Sequence, residues 1–353
     1  MLTASRKLLN VHRGTDEVDN RDALQFKELW GVQDLIPERI KNSKRAIERK
    51  LKNNLDRKTS VNSILNTSIF NMPVKAFFTS TSIAQQPTQI NPLDMVNGNL
   101  RTTILGPGAI GNPNAVSLDA KLIDSSHLGF LDPVATPEGD RTGITLHLGL
   151  GVTKDGKEPT IPLYDTKQKK IVRKKAYELT GKNIAFPDQY VWKGKTPSPK
   201  GKMVTVSNPD EADPKLSSPK DVDFILTSPK AMFSLTSNMI PFLASDQAGR
   251  AEMATRHLEQ AISLKHREAP LVQVHSGDFK SDETWEKIIG RYSTQVAPVS
   301  GTVSSVGKDK VTVKDSAGKS HRVDLYDNFP LNDKKAFITS TPLVKAGDKV
   351  TKG

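Results

Sequence analysis

The sequence predicts a mixed helix and sheet protein of the α+β class, built from several modules. The chain has 353 residues, which is enough for two or three separate cores. Apolar residues recur at helical spacing in the N-terminal third and alternate with polar residues in later segments. We therefore expect a helix-rich region (1–125), a mixed α/β region (126–280) with a surface loop at 194–220, and a C-terminal antiparallel β barrel or sandwich (281–353).

The N-terminal region is predicted to be helical. Leu35 to Asp56 reads as one amphipathic helix with Pro37 near its start. Its apolar stripe consists of Ile36, Ile40, Ile47, Leu51 and Leu55. Its other face carries Arg39, Lys41, Lys44, Arg45, Arg49, Lys50 and Lys52, for which a solvated surface and phosphate contact both remain open. Short helices joined by polar turns are expected between Ser60 and Asn99.

The following segments predict strands and one further helix. A loop is expected at Gly106-Pro-Gly108 and a long strand from Ile144 to Val152, before a turn at Lys154-Asp-Gly-Lys157. Asp246 to Leu264 is predicted to be a helix with Ser245 or Asp246 as its N-cap. Val296 to Val313 predicts two strands around the turn Gly307-Lys-Asp-Lys310.

Charge and composition limit the classes of partner and site that this protein can have. The excess of 51 Lys and Arg over 39 Asp and Glu gives a formal charge of +12, which favours nucleic acid as partner, although a merely solvated basic surface is also compatible. The absence of cysteine excludes disulfides and thiolate metal sites and favours an intracellular setting. No run of about 18 apolar residues occurs, so no membrane partner is expected. The histidines show no metal-ligand spacing.

Three blocks in collinear order carry a family resemblance. They are Leu105-Gly-Pro-Gly-Ala-Ile110, Thr136-Pro-Glu-Gly139 within the run Ser125 to Ile144, and Leu235 to Met253, which contains Ile240-Pro-Phe-Leu243 and Arg250. Together they resemble the active-site face of the β (second-largest) subunit of multisubunit RNA polymerases, in which the first block belongs to the fork region. Lys345 to Gly353 is similar to that family's Gly-Asp-x-Val-x-x-Gly element. The resemblance covers nearly the whole chain but only the middle third of a full subunit.

The resemblance implies roles for the third block. Arg250 matches a catalytic arginine directed at the phosphates of the incoming nucleotide, where a planar guanidinium can bind oxygens bidentately. An ordinary surface arginine paired with Glu252 or Asp246 is the alternative. Asp246 matches a substrate-site aspartate that could orient Arg250, and an N-cap role is equally compatible. Gln260 matches a glutamine near the RNA 3′ end. Gln247 and Gly249 depart from the family's Asp and Asn.

The other two blocks imply further site residues. Glu138 matches a catalytic glutamate at the edge of the site, and Gly139 is expected to adopt the positive φ of that turn. Arg141 stands where the family has Asn and could add a phosphate contact. The resemblance places Thr103 in the region that forms the rifampicin pocket of bacterial enzymes. It also implies that Thr103 contacts nucleic acid. Within that pocket, Gln85 matches, whereas Thr88, Gly98 and Thr103 replace Asp, His and Ser.

The expected function is therefore a β-type subunit of a DNA-dependent RNA polymerase, a nucleotidyltransferase active only as part of a complex. The resemblance implies as partners the β′-type subunit and the C-terminal β fragment, with template DNA, RNA and nucleoside triphosphates. Mg²⁺ would be held by the β′-type subunit, since Asp221-Val-Asp-Phe224 is the nearest aspartate cluster here and lacks a third carboxylate.

The resemblance also implies an origin for the chain, and two other functions remain as alternatives. A split subunit from a large bacteriophage is expected, acting in the host cytoplasm and in some cases packaged in the virion. The alternative is a basic packaging protein that binds nucleic acid nonspecifically. A stand-alone enzyme is disfavoured, because no complete catalytic constellation occurs in the sequence.

Overall fold

The computed structural model describes residues 2–16, 18–81, 83–86, 89–106, 109–262, 264, 266, 268–277, 283–330 and 337–353. Thr88 of the predicted drug pocket and the pair Pro107 and Gly108 of the first block lie outside these ranges. The protein is mixed helix and sheet, as predicted.

Helices predominate in the N-terminal part. The α-helices of the described ranges are α1 (Leu2–His12), α2 (Val32–Asn42), α3 (Lys44–Arg57), α4 (Val61–Ile64), α5 (Asn71–Ser80), α6 (Pro92–Gly98), α7 (Leu235–Asn238), α8 (Ala248–Gln260) and α9 (Trp285–Ser293). Short 3-10 turns join several of them. The short helices expected between Ser60 and Asn99 are therefore confirmed.

The single long helix expected from Leu35 to Asp56 is wrong in its bounds. Two helices, α2 and α3, meet at Ser43, and α2 begins earlier, at Val32. Asp34 causes the early start: its Oδ2 accepts the Gly31 N–H at 2.9 Å and so caps the first turn. The apolar stripe is only half-buried, and Leu55 is 65% exposed.

Strands follow from residue 101 onward. They are β1 (Arg101–Thr103), β2 (Thr145–His147), β3 (Thr153–Asp155), β4 (Glu158–Asp165), β5 (Lys170–Lys175), β6 (Ile184–Ala185), β7 (Tyr190–Lys193), β8 (Thr196–Pro199), β9 (Val204–Ser207), β10 (Lys215–Ser217), β11 (Phe224–Leu226), β12 (Gly301–Val306), β13 (Lys310–Asp315), β14 (Ser320–Asp324), β15 (Phe329–Pro330), β16 (Phe337–Ile338) and β17 (Lys349–Val350).

Packing divides the chain into two compact units. Unit 1 comprises Met1–Ala84, Thr103–Pro133 and Glu138–Met232, and unit 2 comprises Gln85–Thr102, Val134–Pro137 and Phe233–Gly353. Each unit is therefore assembled from non-contiguous segments. This division by packing does not test the three functional regions expected from the sequence, which stay predictions.

Unit 1 is built on a seven-stranded sheet. Its strand order is β10-β9-β6-β11-β4-β3, with β5 paired to β4. Neighbouring residues of one strand enter different cores: Ile161 and Leu163 of β4 pack with Phe130, whereas Tyr164 packs with Val204 on the other face. Both faces of the sheet are thus covered, which explains why β4 is buried at six of its eight positions and β11 at all three.

The surface loop expected at 194–220 is wrong. This tract contains β8, β9 and β10. Val204 and Val206 of β9 are fully buried, and β9 joins β6 to β10 in the large sheet. The Pro, Ser and Lys residues that suggested a loop lie in the exposed hairpin and turns. The short strand from Val204 to Ser207, in which Val alternates with Thr and Ser, contributes its Val side chains to the core.

The long strand expected from Ile144 to Val152 is also wrong. Only Thr145 to His147 forms a strand. Gly149 N–H donates to the Phe130 carbonyl at 3.0 Å, and Gly151 N–H donates to the Ala231 carbonyl at 3.2 Å. A Cβ on Gly149 would lie 2.7 Å from the Ala231 oxygen, so these glycines serve a close backbone approach rather than a ladder.

Unit 2 holds a helical cluster and a C-terminal sheet. Helix α6 contacts α7, α8 and α9. The sheet is antiparallel in the order β14-β13-β12-β17, with Val303, Val311 and Val313 buried between its strands and the adjoining segment. The turn at Gly307 to Lys310 is confirmed, since Gly307 N–H donates to the Lys310 carbonyl at 2.8 Å. The described strands do not close into the barrel expected from the sequence.

Candidate functional site

Arg250 lies in the first turn of α8 with an exposed guanidinium. Immediately before this helix, Phe242 takes a left-handed backbone conformation with φ of 59° and a 3-10 turn follows from Leu243 to Ser245. Nη1 of Arg250 lies 3.5 Å from Met253 Sδ. In the part of the chain that the structure describes, no carboxylate lies within ion-pair distance of this guanidinium. The surface pairing with Glu252 or Asp246 is therefore not observed.

The start of α8 differs from the prediction. Gln247 occupies the N-cap position and makes no side-chain capping bond. Asp246 is one residue too early, in an extended conformation with ψ of 155°. Its Oδ1 accepts the N–H of Gln247 at 2.8 Å. The predicted N-cap at Ser245 or Asp246 is therefore wrong, because the preceding 3-10 turn shifts the helix start to Ala248. The carboxylate does not contact Arg250 in the described geometry.

The other end of α8 is held by α6. Asn91 is the N-cap of α6, where its side chain accepts the N–H of Leu93 at 2.9 Å. Its Nδ2 also donates to the Leu258 carbonyl at 2.7 Å and to the Glu259 carbonyl at 3.0 Å. One asparagine thus caps two helices, satisfying carbonyls that the last turn of α8 leaves without helical partners.

Glu259 anchors the same end through its side chain. Its Oε1 accepts from Asn97 Nδ2 at 2.5 Å, and its Oε2 lies 3.4 Å from Arg101 Nη2. Asn97 is fully buried and also donates to Thr236 Oγ1 at 3.1 Å. Sequence reasoning missed this network. An Asn inside the short apolar helix α6 was the only available signal.

Gln260 is the last residue of α8 and is exposed. It follows Glu259 directly, so the network that fixes Glu259 also fixes the backbone position of Gln260. Arg250 and Gln260 are ten residues apart on one helix, or about 15 Å along its axis. The structure thus places both on α8 but at opposite ends.

Glu138 opens the turn of the second block in unit 1. It is exposed and precedes the 3-10 turn Gly139–Arg141. Gly139 has φ of +82°, so its expected positive φ is confirmed. The Thr142 N–H and hydroxyl both donate to the Gly139 carbonyl, at 3.0 and 2.8 Å. Glu138 is therefore presented on a hydrogen-bonded turn.

Gly143 fixes where this turn ends. Its φ is +70°, and a Cβ at this position would lie 2.1 Å from the carbonyl oxygen of Lys121. Only glycine lets the two backbones approach so closely. The sequence contained the signal, a glycine four residues after another, but nothing in it identified Lys121 as the neighbour.

Arg141 and Thr103 are the remaining site residues, and both lie in unit 1. Arg141 ends the 3-10 turn, is exposed, and has no side-chain polar partner among the described residues. Thr103 ends β1 and is exposed. Its Oγ1 accepts the Leu105 N–H at 3.2 Å and lies 3.4 Å from Thr145 Oγ1. Arg250, Asp246 and Gln260 belong to unit 2.

A half-buried histidine, His127, lies in the same block as Glu138. Burial lowers the pKa of His127, although the nearby Asp124 acts in the opposite direction. Nδ1 of the ring faces the Asp124 N–H at 3.4 Å, which requires that nitrogen to be an acceptor. Burial and the hydrogen bond from the Asp124 N–H both favour the neutral imidazole. His127 therefore has a structural role in this loop.

The described ranges lack the features of a metal site and of a membrane span. These contain no group of three His, Asp or Glu side chains placed to hold a metal ion. Asp223 of the aspartate pair is engaged by Lys167 at 3.0 Å and by the Asn183 N–H at 3.3 Å. No helix among them is both long and apolar enough to cross a membrane.

The chain is similar to known proteins over nearly its whole length. Residues 85–152 match the family model described as RNA polymerase Rpb2, domain 3, a range that contains the first and second blocks. The DNA-directed RNA polymerase subunit beta of Mycoplasmopsis pulmonis is 29% identical, with 98% of this chain and 28% of that protein aligned. That of Mycoplasmopsis synoviae is 27% identical, with 100% and 29% aligned.

A third relative gives the same result. The subunit beta of Caulobacter sp. strain K31 is 26% identical, with 100% of this chain and 26% of that protein aligned. The chain therefore spans less than a third of the length of these relatives.

Proposed function

We propose that this chain is a β-type part of a DNA-dependent RNA polymerase, which lines the cleft and contacts the incoming nucleotide and the RNA–DNA hybrid. The carrying observation is the alignment of 98 to 100% of the chain with polymerase β subunits. The domain match at 85–152 supports the same conclusion. Catalysis would require a β′-type subunit and the remaining β segments, because the described residues hold no acidic cluster that could bind the catalytic metal ions.

Arg250 is the residue to which we assign the triphosphate. Its guanidinium is exposed on a helix whose far end is anchored by Asn91 and Glu259. A planar, preorganised cation can bind two phosphate oxygens and offset the charge that develops on pyrophosphate as it leaves. Asp246 would lie beside that site, and Gln260 would approach the RNA 3′ end from the other end of α8.

Glu138 and its neighbours would act at the edge of the site. The turn closed by Gly139 and Thr142 presents the Glu138 carboxylate at an exposed position, from which it could contact the entering nucleotide or template. Arg141 is exposed beside it and would contribute a phosphate contact. Thr103 is assigned to the nucleic-acid surface, where its hydroxyl could reach a backbone oxygen.

Nucleotidyl transfer joins the RNA 3′-oxygen to the α-phosphorus of the incoming nucleotide and releases pyrophosphate. Mg²⁺ would neutralise charge in that step and would be held by aspartates of the partner β′-type subunit. The described residues of this chain offer no cluster that fits such an ion. The residues of this chain would bind and orient the nucleotide and offset its negative charge.

A basic packaging protein is the rival function. The charge of +12 suits either one, because both bind phosphates without sequence preference. The glycine contact at Gly143 and the double cap at Asn91 are non-basic features that fix loop and helix positions. Nonspecific packaging does not require them, so they favour the polymerase.

Co-expression tests the proposal. The tagged chain, produced with a β′-type subunit and the remaining β segments, should co-purify with them, as identified by mass spectrometry. The complex should extend RNA on a preformed scaffold, and the chain alone should not. Recovery of this chain without a β′-type partner would contradict the proposal. A separate C-terminal β chain in the complex would support a divided subunit, and recovery from infected bacterial cytoplasm or virions would support the proposed bacteriophage origin.

A further inference from the structure

The hairpin of β7 and β8 carries positive charge that forms no ion pair with any described residue. We define the basic hairpin as residues 189–203. It contains Lys193, Lys195, Lys200 and Lys202, and the tract 189–209 contains no Asp or Glu. All four lysines are exposed, and among the described residues none of their ammonium groups has a hydrogen-bond or ion-pair partner. The whole charge of this hairpin is therefore directed at solvent.

The hairpin is anchored firmly at its base. Tyr190 is 6% exposed and packs in the core with Val204 and Val206. Trp192 makes an edge-to-face contact with Tyr164 at 5.6 Å between ring centroids. The register pairs Tyr190 with Pro199 and Lys193 with Thr196. The aromatic rings therefore hold one face on the core while Lys193 lies on the opposite face.

The tip extends into open space. Gly194, at the turn, has φ of +64°, and a Cβ built on it would have no atom within 4 Å. From Lys195 to Lys200 the strand extends about 16 Å, at roughly 3.3 Å per residue. B-form DNA presents about nine phosphate charges over that length. The lysines are thus spread over a span that several phosphates can meet.

The basic helix α3 is a weaker candidate for the same ligand. Its Lys44 lies 3.7 Å from Glu48, and its Lys50 donates to the Ser68 carbonyl at 2.9 Å. Glu48 and Asp56 also reduce its net charge. Part of its charge is therefore already used within the protein, in contrast to the basic hairpin.

We propose that the basic hairpin binds the phosphate backbone of duplex DNA without sequence preference, an inference that rests on the proposed function for the presence of DNA. Lysine is a compact point charge suited to phosphate. The basic hairpin includes no Arg, Asn or His that could read base edges, and its one Gln, Gln189 at the base, donates its amide to Asp188 at 2.9 Å. Both aromatic rings are engaged at the base, which leaves none to stack on single-stranded bases.

Salt-dependent binding by the full-length chain tests this inference. The probe is a fluorescent duplex of about 30 base pairs, titrated between roughly 50 and 200 mM salt. The test variant replaces Lys193, Lys195, Lys200 and Lys202 with Gln. The matched control replaces four exposed lysines elsewhere in unit 1, namely Lys75, Lys169, Lys170 and Lys220. Thermal unfolding establishes that both variants are folded.

The hairpin variant should bind at least about tenfold more weakly near 100 mM salt, and its log–log salt slope should be less negative by about 3 to 4, since each phosphate contact contributes about 0.9. The control should change the slope by less than about 1. Equal changes in the two variants would overturn the inference. So would a hairpin variant that loses binding to polyglutamate but not to duplex DNA, because an acidic protein would then be the ligand.

The outcome is separable from that of the proposed function. If the assembled complex extends RNA while the hairpin variant binds duplex DNA like the wild type, the inference fails and the proposed function stands. If duplex binding depends on the hairpin but no complex extends RNA, the reverse holds.

Discussion

The amide of Asn97 donates to Oε1 of Glu259 at 2.5 Å and thereby joins α6 to the last turn of α8. Asn97 is completely buried, and Arg101 approaches the other carboxylate oxygen at 3.4 Å. The Glu259 carboxylate is only partly exposed, at 13% of its side-chain surface, and a shielded hydrogen bond to a charged group contributes more to stability than one in open solvent. This contact therefore determines how α8 is held within unit 2.

Asn97→Ala and Glu259→Ala should each destabilise unit 2 by about 1.5 to 3 kcal/mol, since each removes a solvent-shielded hydrogen bond to a charged group. The double variant should lose at least about 1 kcal/mol less than the sum of the two. Urea unfolding of the full chain measures all three. The adjacent exposed Gln260→Ala is the control and should stay within about 0.5 kcal/mol of wild type. Additive losses would show that the two side chains do not interact.

The network also shows what the sequence could and could not predict. Local patterns were sufficient for the turn at Gly139 and for the hairpin at Gly307, because a few adjacent residues determine each. Glu259 meets Asn97 across 162 positions of the chain, and periodicity contains no information on such a contact. The strands within 194–220 were missed for a related reason: β9 is only four residues long and depends on β6 and β10 for its burial.

The close approach at Gly143 gives a second prediction. Gly143→Ala would place a Cβ 2.1 Å from the Lys121 oxygen in addition to the strained φ, so we expect a loss of about 3 kcal/mol or more. Gly139→Ala shares the positive φ but has no atom within 4 Å of its Cβ, and it should cost only about 1 to 2 kcal/mol. Denaturant unfolding compares the two. Equal losses would mean that the Lys121 backbone can move away.

Arg250 is predicted to act in nucleotide addition. Arg250→Ala in the assembled complex should raise the nucleotide KM and slow addition by about 10²-fold, through loss of one preorganised phosphate donor. Arg250→Lys should recover only part of the rate, because an ammonium cannot bind bidentately. Stopped-flow extension on a preformed scaffold provides the rates, and thermal unfolding provides the control, since the side chain is exposed. Extension within about twofold of wild type would show the assignment to be wrong.

The half-buried ring of His127 predicts a pH dependence of stability. Burial lowers its pKa in the folded chain, so the unfolded chain takes up a proton at higher pH than the folded one. The free energy of unfolding should therefore decrease as pH falls below the ordinary histidine value of about 6.5. His127→Gln should make the curve flatter in that range. Parallel curves for the two proteins, measured by denaturant unfolding at several pH values, would exclude His127 as the source.

The assembled polymerase should resist rifampicin. Gly98 ends α6 without a side chain, and Thr88, outside the described residues, replaces the family's aspartate. Gln85 is retained, but its Oε1 lies 3.4 Å from Arg101 Nη1. Each drug hydroxyl left without a partner should cost about 1 to 3 kcal/mol.

Transcription that starts on DNA without a preformed scaffold is measured over a range of drug concentrations to test this resistance. A sensitive bacterial enzyme is the comparison. The double change Thr88→Asp and Gly98→His should increase sensitivity, because it restores a polar partner and a flat packing surface. A side chain can begin at Gly98 without a clash, since a Cβ there meets no atom within 4 Å. Half-inhibition of the unmodified enzyme at submicromolar drug would show that the alignment from Gln85 to Thr103 is misplaced. If the double change leaves the resistance unaltered, the cause would instead be Arg101, whose guanidinium already donates to the Gln85 amide oxygen.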